Sequence, residues 1–535
     1  MRQILVLLPA LTLSAQSWKP AGSANRAPHF EVIDGKKVFF ADGLPFTVLT
    51  VETHWEELIY GRYAETMRVY DYMYPAAEKI GLNALKVPIK WSVVEPSEGV
   101  YDFSYVDHVK NMAERHHLKL VLGWFGHYAS GSGILYRNMT GDVFAPMYII
   151  KDTARFPRAV DAAGESHHDA GSYEYPAIVE REAAAFTAFM EHLARTDSNH
   201  TVLMVQVENE VAVFGAGGDY TWRRNPRYWR DHAPAANQRF KEKGFQSDLA
   251  YSAWSFAANW LRPLTEAGSR AHPIPLFMNF VNGSPGEGTL GGSPGEDVAT
   301  YLEHIPALQF IGLNYYPTWG DHTPAPVRVP ASQLRSTLSR WRIGRNIPTL
   351  TETNSDSSSL APRLLFLSIG EFGSPLFAPW ALGTSCPTPD EPYVQKDGTL
   401  ANGAFALGEA YLAIRKGGAC AAQFGGTGRA KVFLAEMPGD RFHETKDVAG
   451  VQVTASGVND GQVMAIRPAD NEILLVGFRC RVAVRVPSAE RPVKAEKGAW
   501  VGSQWKAEGP AQSSRTSGEV HIRLAGPQAV RISWP

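Results

Sequence analysis

The sequence has few cysteines, little net charge and no long uncharged apolar run. Its 535 residues include three cysteines, and the formal net charge is −2; the cysteines are Cys386, Cys420 and Cys480. They are too few and too widely spaced for a disulfide framework or a cysteine metal site, so one bridge and buried free thiols both remain open. The charge balance gives no electrostatic basis for binding nucleic acid or an anionic membrane.

Several motifs that mark enzyme classes are also missing. No GxGxxG follows the first predicted strand, and neither a phosphate loop nor CxxC occurs. The string "GESHHDAG" (164–171) contains His167, His168 and Asp169, but neighbouring histidines in a glycine-flanked segment favour solvent exposure over metal binding. We therefore predict no metal site and no cofactor.

The N-terminal string "MRQILVLLPALTLSAQS" resembles a short secretory signal. A cation at Arg2 precedes a mostly apolar run over 4–13, and small residues follow up to Ala15. An apolar first strand is the alternative interpretation. The run is too short to span a bilayer, and no later segment reaches the ~18 apolar residues that spanning requires. We predict signal peptide and leader at residues 1–20, and an exported protein, periplasmic or secreted, with no membrane insertion.

Short apolar segments alternate with helical patterns from about residue 30 onward. Most of these segments are apolar at successive positions, as in strands buried on both faces of a parallel sheet. Helical patterns occupy 103–117, 178–196 and 247–268. Eight strands alternating with helices predict an α/β chain with a (β/α)8 TIM barrel over 28–418, and a doubly wound open sheet is the alternative. The predicted strands are 45–52, 83–89, 118–126, 201–208, 274–280, 308–316, 347–352 and 374–380.

The pattern changes past residue 418. Short segments with alternating polarity take over, separated by polar or glycine- and proline-containing turns. We predict a smaller all-β, sandwich-like domain over 419–535. Its predicted strands are 430–437, 450–455, 461–468, 472–478, 481–487, 518–526 and 529–535.

Two of the predicted barrel strands end in glutamate. The fourth runs into Glu208, Asn209 and Glu210, and the seventh ends at Glu352. Active sites of such barrels lie at the C-terminal ends of the strands. Because an ionised carboxylate buried without a partner costs several kcal/mol, two such ends indicate a pair of carboxylates that face a common substrate.

Other predicted strands also end in polar or aromatic side chains. A lone tryptophan is more often a core residue, and an asparagine often completes a turn. At this position in a barrel, however, each is a candidate for ligand contact. These candidates are Glu52 and His54 after the first strand, Trp124 in the third, Asn279 in the fifth, Tyr315 in the sixth and Trp380 after the eighth.

Several strings together resemble one group of enzymes. "VQVENE" (205–210) followed by "PTLTET" (348–353) is similar to the retaining glycoside hydrolases of clan A, and "VQVENE" more narrowly resembles the β-galactosidases of family 35. "LKVPIKWSVVEPSEGVYDFSYVD" (85–107) is similar to the second strand and loop of family 35 and 42 galactosidases. "VLGWFGHYASG" (121–131) with "RFPRAVDAAGE" (155–165) is similar to a bacterial branch that has its own C-terminal β-domain.

The resemblance implies a retaining exo-glycosidase that releases terminal β-linked sugar, most closely β-D-galactose, from oligo- or polysaccharides. It assigns Glu210 as the acid/base and Glu352 as the nucleophile of a double displacement, in which the charge of Glu352 raises the pKa of Glu210. Because the sixth strand neighbours the seventh, we also predict a hydrogen bond from Tyr315 to Glu352. The implied sugar contacts are Asn209, Glu208, Glu52, His54, Trp124, Asn279, Tyr315 and Trp380.

The chain departs from the family 35 pattern after the acid/base. That family commonly has Tyr-Gly there, whereas residues 211–215 read "VAVFG", and the first strand carries "VETHW" without a glycine-rich turn. Alternatives are another clan A β-glycosidase, acting on β-glucosides, β-xylosides or arabinosides, or a non-catalytic barrel that binds glycans. The sequence predicts a carbohydrate as the partner and leaves the oligomeric state open.

Overall fold

The computed structural model describes most of the chain. The described residues are 18–53, 63–126, 144–211, 226–281, 294–317, 328–353, 360–383, 392–395, 397–486, 492–516 and 518–535. The predicted signal peptide, His54 and Cys386 lie largely or wholly outside them. Cys420 and Cys480 are buried free thiols.

The strands of these residues fall into an N-terminal hairpin sheet, a barrel, a short ribbon and a C-terminal sheet. In chain order they are β1 (His29–Ile33), β2 (Lys36–Ala41), β3 (Leu44–Pro45), β4 (Val48–Leu49), β5 (Ala84–Lys90), β6 (Lys119–Phe125), β7 (Arg158–Val160), β8 (Ser166–Gly171), β9 (Val202–Val207), β10 (Leu276–Val281), β11 (Leu308–Tyr315), β12 (Leu350–Thr353), β13 (Leu376–Phe377), β14 (Ala430–Leu434), β15 (Phe442–Val448), β16 (Val451–Ala469), β17 (Glu472–Arg485), β18 (Lys494–Val501), β19 (Gln504–Pro510), β20 (Ser513–Thr516), β21 (Glu519–Leu524) and β22 (Gln528–Ser533).

The α-helices are α1 (Tyr63–Ile80), α2 (Trp91–Val94), α3 (Ser104–Arg115), α4 (Met147–Lys151), α5 (Pro176–Thr196), α6 (Pro234–Glu242), α7 (Asp248–Ser255), α8 (Arg262–Ala271), α9 (Pro294–His304), α10 (Ala331–Arg340), α11 (Leu360–Phe366) and α12 (Asn402–Phe424). A 3-10 turn covers Pro226–Tyr228, and π-helical turns cover Phe256–Leu261 and Leu367–Glu371. In the described part of the chain, no helix has both the length and the apolar character needed to cross a membrane.

Eight parallel strands form the predicted barrel. Their order is β4-β13-β12-β11-β10-β9-β6-β5, and each overlaps one of the eight predicted strands. The first and last strands of this order, β4 and β5, meet to close the barrel: just after β4, the backbone nitrogen of Thr53 donates to the carbonyl of Lys86 on β5 at 2.8 Å. The (β/α)8 prediction is confirmed.

Two of the three predicted helices match α3 and α5. The third, 247–268, consists of α7, a π-helical turn and α8, and it continues to Ala271 rather than ending at Gly268. Gly268 lies inside α8. An added Cβ at this position would clash with the ring of Phe186 on α5. The glycine therefore allows close helix packing and is not a helix end.

The antiparallel sheet β1-β2-β3 precedes the barrel and closes its N-terminal end. Phe39 packs in one apolar cluster with residues near the N-terminal ends of the barrel strands, including Val48, Ala84, Phe310 and Leu376. A ligand therefore reaches the barrel interior from the opposite end, where the strands have their C-termini.

The C-terminal residues form a separate antiparallel sheet, as predicted, but with fewer and longer strands. The predicted pair 450–455 and 461–468 is the single strand β16, and the pair 472–478 and 481–487 is β17. Both strands bend in the middle, where Asn459, Asp460 and Arg479 have φ of 49°, 58° and 52°. Side chains from both halves consequently meet in one apolar cluster, so the folded sheet encloses its own core.

The outer face of one half of this sheet packs on the barrel. Met464 and Val476 belong to the same continuous apolar cluster as Leu364 and Phe366 of α11. Helix α12 crosses residue 418, where Gly418 has φ 49° and ψ −135°. The barrel and the outer face of this half-sheet share one apolar cluster, and the division at 418 and 419 stays a prediction.

The tightness of this interface can be tested at Gly370, in the π-helical turn after α11. An added Cβ would clash with Cγ2 of Val432 and lie 3.0 Å from the sulfur of Met464. We expect Gly370→Ala to lower the free energy of unfolding by about 1–3 kcal/mol, because a packed core tolerates extra volume poorly. Urea unfolding measures it. Gly428→Ala, where an added Cβ meets nothing within 4 Å, is the control, and equal stability of both variants would contradict a tightly packed interface.

Candidate active site

The C-terminal ends of four adjacent barrel strands bring two carboxylates and two amides together. Glu210, just after β9, accepts a hydrogen bond from Nδ2 of Asn314 at 2.7 Å. Glu352 on β12 accepts one from Nδ2 of Asn279 at 3.0 Å. The same Asn279 nitrogen lies 3.2 Å from Oδ1 of Asn314. Two side-chain amides therefore connect the two carboxylates.

Neighbouring groups fix the orientation of both amides. Oδ1 of Asn279 accepts from the backbone nitrogen of Glu210 at 3.0 Å, and Oδ1 of Asn314 accepts from the Thr351 hydroxyl at 2.9 Å. Nδ2 of Asn279 also lies 2.9 Å from Oδ1 of Asn209, so its two hydrogens serve three oxygens. The donors thus face the carboxylates, and Asn209 accepts a hydrogen bond from the bridge.

The backbone that carries Glu210 is strained. Glu208 and Glu210 have φ of 64° and 47°, a region that costs non-glycine residues about 1–3 kcal/mol. The Gln206 side chain donates to the Glu208 carbonyl at 2.9 Å and to Asn209 at 3.1 Å. These contacts stabilise a sharp turn that leaves Glu210 half-buried at the strand end.

Tyr316, and not Tyr315, contacts Glu352. The Tyr316 hydroxyl donates to Oε2 of Glu352 at 2.7 Å, whereas Tyr315 is 6% exposed and packs in the apolar core. Side chains alternate along a strand, so Asn314 and Tyr316 share the inner face while Tyr315 faces outward. The predicted bond from Tyr315 is wrong by one residue. Burial, with the Glu352 charge next in size, raises the pKa of Tyr316, which keeps its hydroxyl a donor.

A buried ion pair lies beneath Glu352. Nζ of Lys86 is 2.7 Å from Oε2 of Glu52 and 3.6 Å from Oε1 of Glu352, and it donates to the Thr351 carbonyl at 3.2 Å. Burial raises the pKa of Glu52 to about 8; Lys86 opposes that shift, and the charges of Glu352 and Glu210 add to it. One ammonium therefore lies next to two acidic side chains, Glu52 and Glu352.

Lys86 is a functional candidate that the sequence analysis missed. It interrupts the apolar strand β5 at a position whose side chain points into the barrel, while its neighbours Leu85 and Val87 belong to the outer apolar cluster. A single lysine within an otherwise apolar barrel strand is the sequence signal that indicates such a residue. Glu52, predicted as a sugar contact, is 2% exposed and accepts a hydrogen bond from Lys86. It therefore belongs to the buried ion pair next to Glu352 and offers no exposed surface to a sugar.

Two further predicted sugar contacts point away from the barrel interior. Trp124 is fully buried, its ring packs on Phe186 and Phe189 of α5, and its Nε1 donates to Glu182 at 3.1 Å. Glu208, 1% exposed, accepts from the backbone of the loop after β6. Both predictions are wrong, because these side chains lie on the outer face of their strands.

Glu208 and Glu182 instead form a buried carboxyl pair between β9 and α5. Their carboxyl groups hydrogen-bond to each other, which requires one shared proton. The indole of Trp260 donates to Oε2 of Glu182 at 2.7 Å, and the backbone nitrogen of Gly126 donates to Glu208 at 3.0 Å. Burial raises the pKa of Glu182 above its ordinary 4.5. The pair thus anchors the base of the strained turn.

The remaining candidates are Trp380, Asn209 and His54. Trp380 is half-buried beside Glu52 at the end of the eighth strand, and its backbone nitrogen donates to Thr353 at 2.9 Å. Asn209 belongs to the amide bridge, and His54 lies outside the described residues. Among the residues that the structure describes, no group of three or more His, Cys, Asp or Glu is arranged to hold a metal ion.

The shared proton predicts a pH-dependent stability. The folded pKa of Glu182 lies above its unfolded value, so the folded protein keeps a proton that the unfolded chain releases. The contribution of this proton to the free energy of unfolding is complete below pH 4.5, and it decreases as the pH rises from there through the raised pKa. In Glu208→Gln an amide N–H replaces the proton. As pH rises above 4.5, we expect the free energy of unfolding of this variant to fall less steeply than that of the wild type, by up to ~1.4 kcal/mol per pH unit.

Urea unfolding at several pH values measures this difference. Glu180→Gln, which changes an exposed carboxyl on the same helix α5, is the control and should follow the wild type. Parallel pH curves for the wild type and Glu208→Gln would contradict the shared proton.

Comparisons with known proteins give structural likeness only. No protein-family model and no curated protein sequence matches the chain. Similar solved structures include the exo-β-1,4-mannosidase Op5Man5 from Opitutaceae bacterium strain TAV5 (15% identity over 70% of this chain and 60% of that one, TM-score 0.43). They also include the β-galactosidase from Marinomonas ef1 (12% identity over 69% of this chain and 60% of that one, TM-score 0.46). A third is the β-galactosidase from Halorubrum lacusprofundi (13% identity over 68% of this chain and 58% of that one, TM-score 0.47). The matched region thus spans 60% or less of each of these three chains, and at such scores the likeness decides nothing about substrate.

Proposed function

We propose that this protein is a retaining β-glycosidase that removes a terminal sugar by double displacement. The observation that carries the proposal is the amide bridge of Asn279 on β10 and Asn314 on β11, which connects Glu210 after β9 with Glu352 on β12. Retaining glycosidases use two such carboxyl groups, one as nucleophile and one as acid/base.

The surroundings of the two carboxylates favour different roles. Glu352 accepts from Asn279 and Tyr316 and has the Lys86 ammonium 3.6 Å away, and these groups stabilise its negative charge. Glu210 is half-buried on a strained turn just past the C-terminal end of β9. The first arrangement suits an ionised nucleophile, and the second suits a group that exchanges protons with substrate and water.

The proposed reaction has two steps. In the first, a Glu352 oxygen attacks the anomeric carbon while Glu210 gives its proton to the departing glycosidic oxygen, which leaves a glycosyl ester on Glu352. In the second, Glu210 removes a proton from water, the water oxygen attacks the anomeric carbon, and the ester bond breaks to restore the Glu352 carboxylate. Each step inverts the anomeric centre, so the product keeps the β configuration.

β-D-galactose is the proposed sugar, and export is part of the proposal. The sugar rests on the resemblance of "VQVENE" and of residues 85–107 to β-galactosidases, and export rests on the apolar N-terminal run. Turnover of a panel of aryl β-glycosides decides the sugar. Preference for the glucoside, xyloside or arabinoside would replace galactose within the same mechanism, whereas binding without any turnover would favour a non-catalytic glycan-binding barrel.

The two glutamates should give distinct kinetic defects. We expect Glu352→Ala to abolish hydrolysis for every leaving group, because the glycosyl ester cannot form. Glu210→Ala should still release dinitrophenolate, a leaving group that needs no proton, and then accumulate the ester. Added azide needs no base, so it should restore turnover and yield a β-glycosyl azide, which NMR identifies.

The stereochemistry and the spacing provide the check on this mechanism. The wild type should release β-configured sugar first, and a substrate complex should place the carboxyls about 5–5.5 Å apart rather than the ~6.5–9.5 Å of an inverting pair. An α-configured first product, or wild-type turnover in Glu352→Ala, would overturn the proposal.

The neighbouring tyrosines allow a matched comparison. Tyr316→Phe removes the hydroxyl that donates to Glu352, and a hydrogen bond to a charged group contributes about 1.5–3 kcal/mol. We expect kcat/KM to fall roughly 10- to 100-fold with little change in unfolding temperature. Tyr315→Phe, which alters a core residue on the outer face, should leave kcat/KM nearly unchanged, and a larger effect there than at Tyr316 would contradict the assignment.

A further inference from the structure

A polar groove lies on the half of the C-terminal sheet that faces away from the barrel. It has a volume of about 720 Å³ and is lined by side chains of β15, β16, β17, β20 and β21. The inward neighbours of these side chains, such as Phe442, Val482 and Ile522, belong to the core of the domain. The barrel packs on the other half of the sheet, so the proposed active site does not use this groove.

One row of side chains crosses four strands along the groove. Strand pairing places His443 opposite Ser456, Ser456 opposite Arg481, and Arg481 opposite Arg523. Residues paired in this way point to the same face of an antiparallel sheet. With strands ~4.8 Å apart, the row spans roughly 14 Å.

The charge in this row is uncompensated. Arg481 and Arg523 are exposed, directly opposite each other, and neither forms an ion pair with a residue that the structure describes. Like charges at opposed positions destabilise a sheet. Four residues further along β17, by contrast, Arg485 pairs with Glu519 at 3.5 Å. The row therefore places two arginines at opposed positions, and a bound anion would offset their repulsion.

The rest of the groove lining is mostly small, hydroxyl-bearing or apolar, and it also includes Gln512, His521 and Glu519. The Glu519 carboxylate lies 3.5 Å from Arg485 and 3.8 Å from His521. Thr454 lies opposite Ala483, and Ser514 lies opposite His521. Apart from the imidazoles, the described lining contains no aromatic ring. Neutral sugars are commonly held by stacking on aromatic faces, and this groove offers no such face. Recognition here would depend on charge and on hydrogen bonds to hydroxyl groups.

We propose that this groove binds a carboxylate-bearing, uronic-acid polysaccharide. The planar guanidinium groups of Arg481 and Arg523 would each form paired hydrogen bonds with a uronate carboxylate, and Ser456, Thr454 and Ser514 would bond sugar hydroxyls. The evidence for an anion-binding groove does not depend on the proposed glycosidase activity. The choice of a glycan over an acidic protein segment as the ligand rests in part on that activity. A net charge of −2 and two arginines give no footprint for nucleic acid.

Affinity electrophoresis of the full chain tests the proposal. We use the Glu352→Ala variant, so that the polymer is not consumed, in native gels that contain polygalacturonate or, separately, neutral dextran. We expect retardation by polygalacturonate alone, and we expect added salt to weaken it. Because the measurement needs no turnover, its failure would leave the proposed glycosidase standing, and loss of that activity would leave the groove standing.

A charge-matched pair of double variants locates the site. R481Q/R523Q should weaken the apparent affinity for polygalacturonate about tenfold or more. K497Q/K506Q removes the same charge from exposed positions on β18 and β19 and should behave like the parent. In the otherwise wild-type chain, R481Q/R523Q should keep the turnover of a small aryl glycoside unchanged.

Four results would overturn the proposal. They are no retardation by polygalacturonate, equal weakening in both double variants, retardation by dextran sulfate in its place, and equally strong retardation by poly-glutamate.

Discussion

The bridge of two asparagine amides between Glu210 and Glu352 is the constraint on which the rest of the site depends. An amide offers donors and an acceptor in one plane, so Asn279 and Asn314 can hold two carboxylates without adding charge. The bridge forms only where β9, β10, β11 and β12 are consecutive neighbours, which is the order of the barrel. The strained turn at Glu208 and Glu210 is held by the same amides, because Asn279 accepts from the backbone nitrogen of Glu210.

Buried acids around the bridge are neutralised in two different ways. Inside the barrel, the Lys86 ammonium serves Glu52 and Glu352. Outside it, Glu208 and Glu182 share a proton beneath two indole donors. Each solution avoids an uncompensated buried charge, and together they support the site from both faces of the barrel wall.

The two halves of the C-terminal sheet have outer faces with different roles. One half buries Met464 and Val476 against the barrel, and the other keeps Arg481 and Arg523 exposed. The bend at Asn459 and its neighbours in β16 and β17 makes this division possible, since it turns the two halves of the same strands in different directions. A single sheet thereby forms its own core, covers the barrel and presents a free polar surface.

The sequence by itself determined the eight barrel strands and the glutamates that end two of them, because apolar runs and strand-terminal acids are local patterns. It could not decide which face each side chain occupies: Tyr316 rather than Tyr315 contacts Glu352, and Trp124 packs in the barrel wall rather than in the site. It also missed Lys86, whose role exists only where β4, β5 and β12 enclose one space. Side-chain direction and the pairing of buried charges depend on neighbours distant in sequence, and only the tertiary structure supplies them.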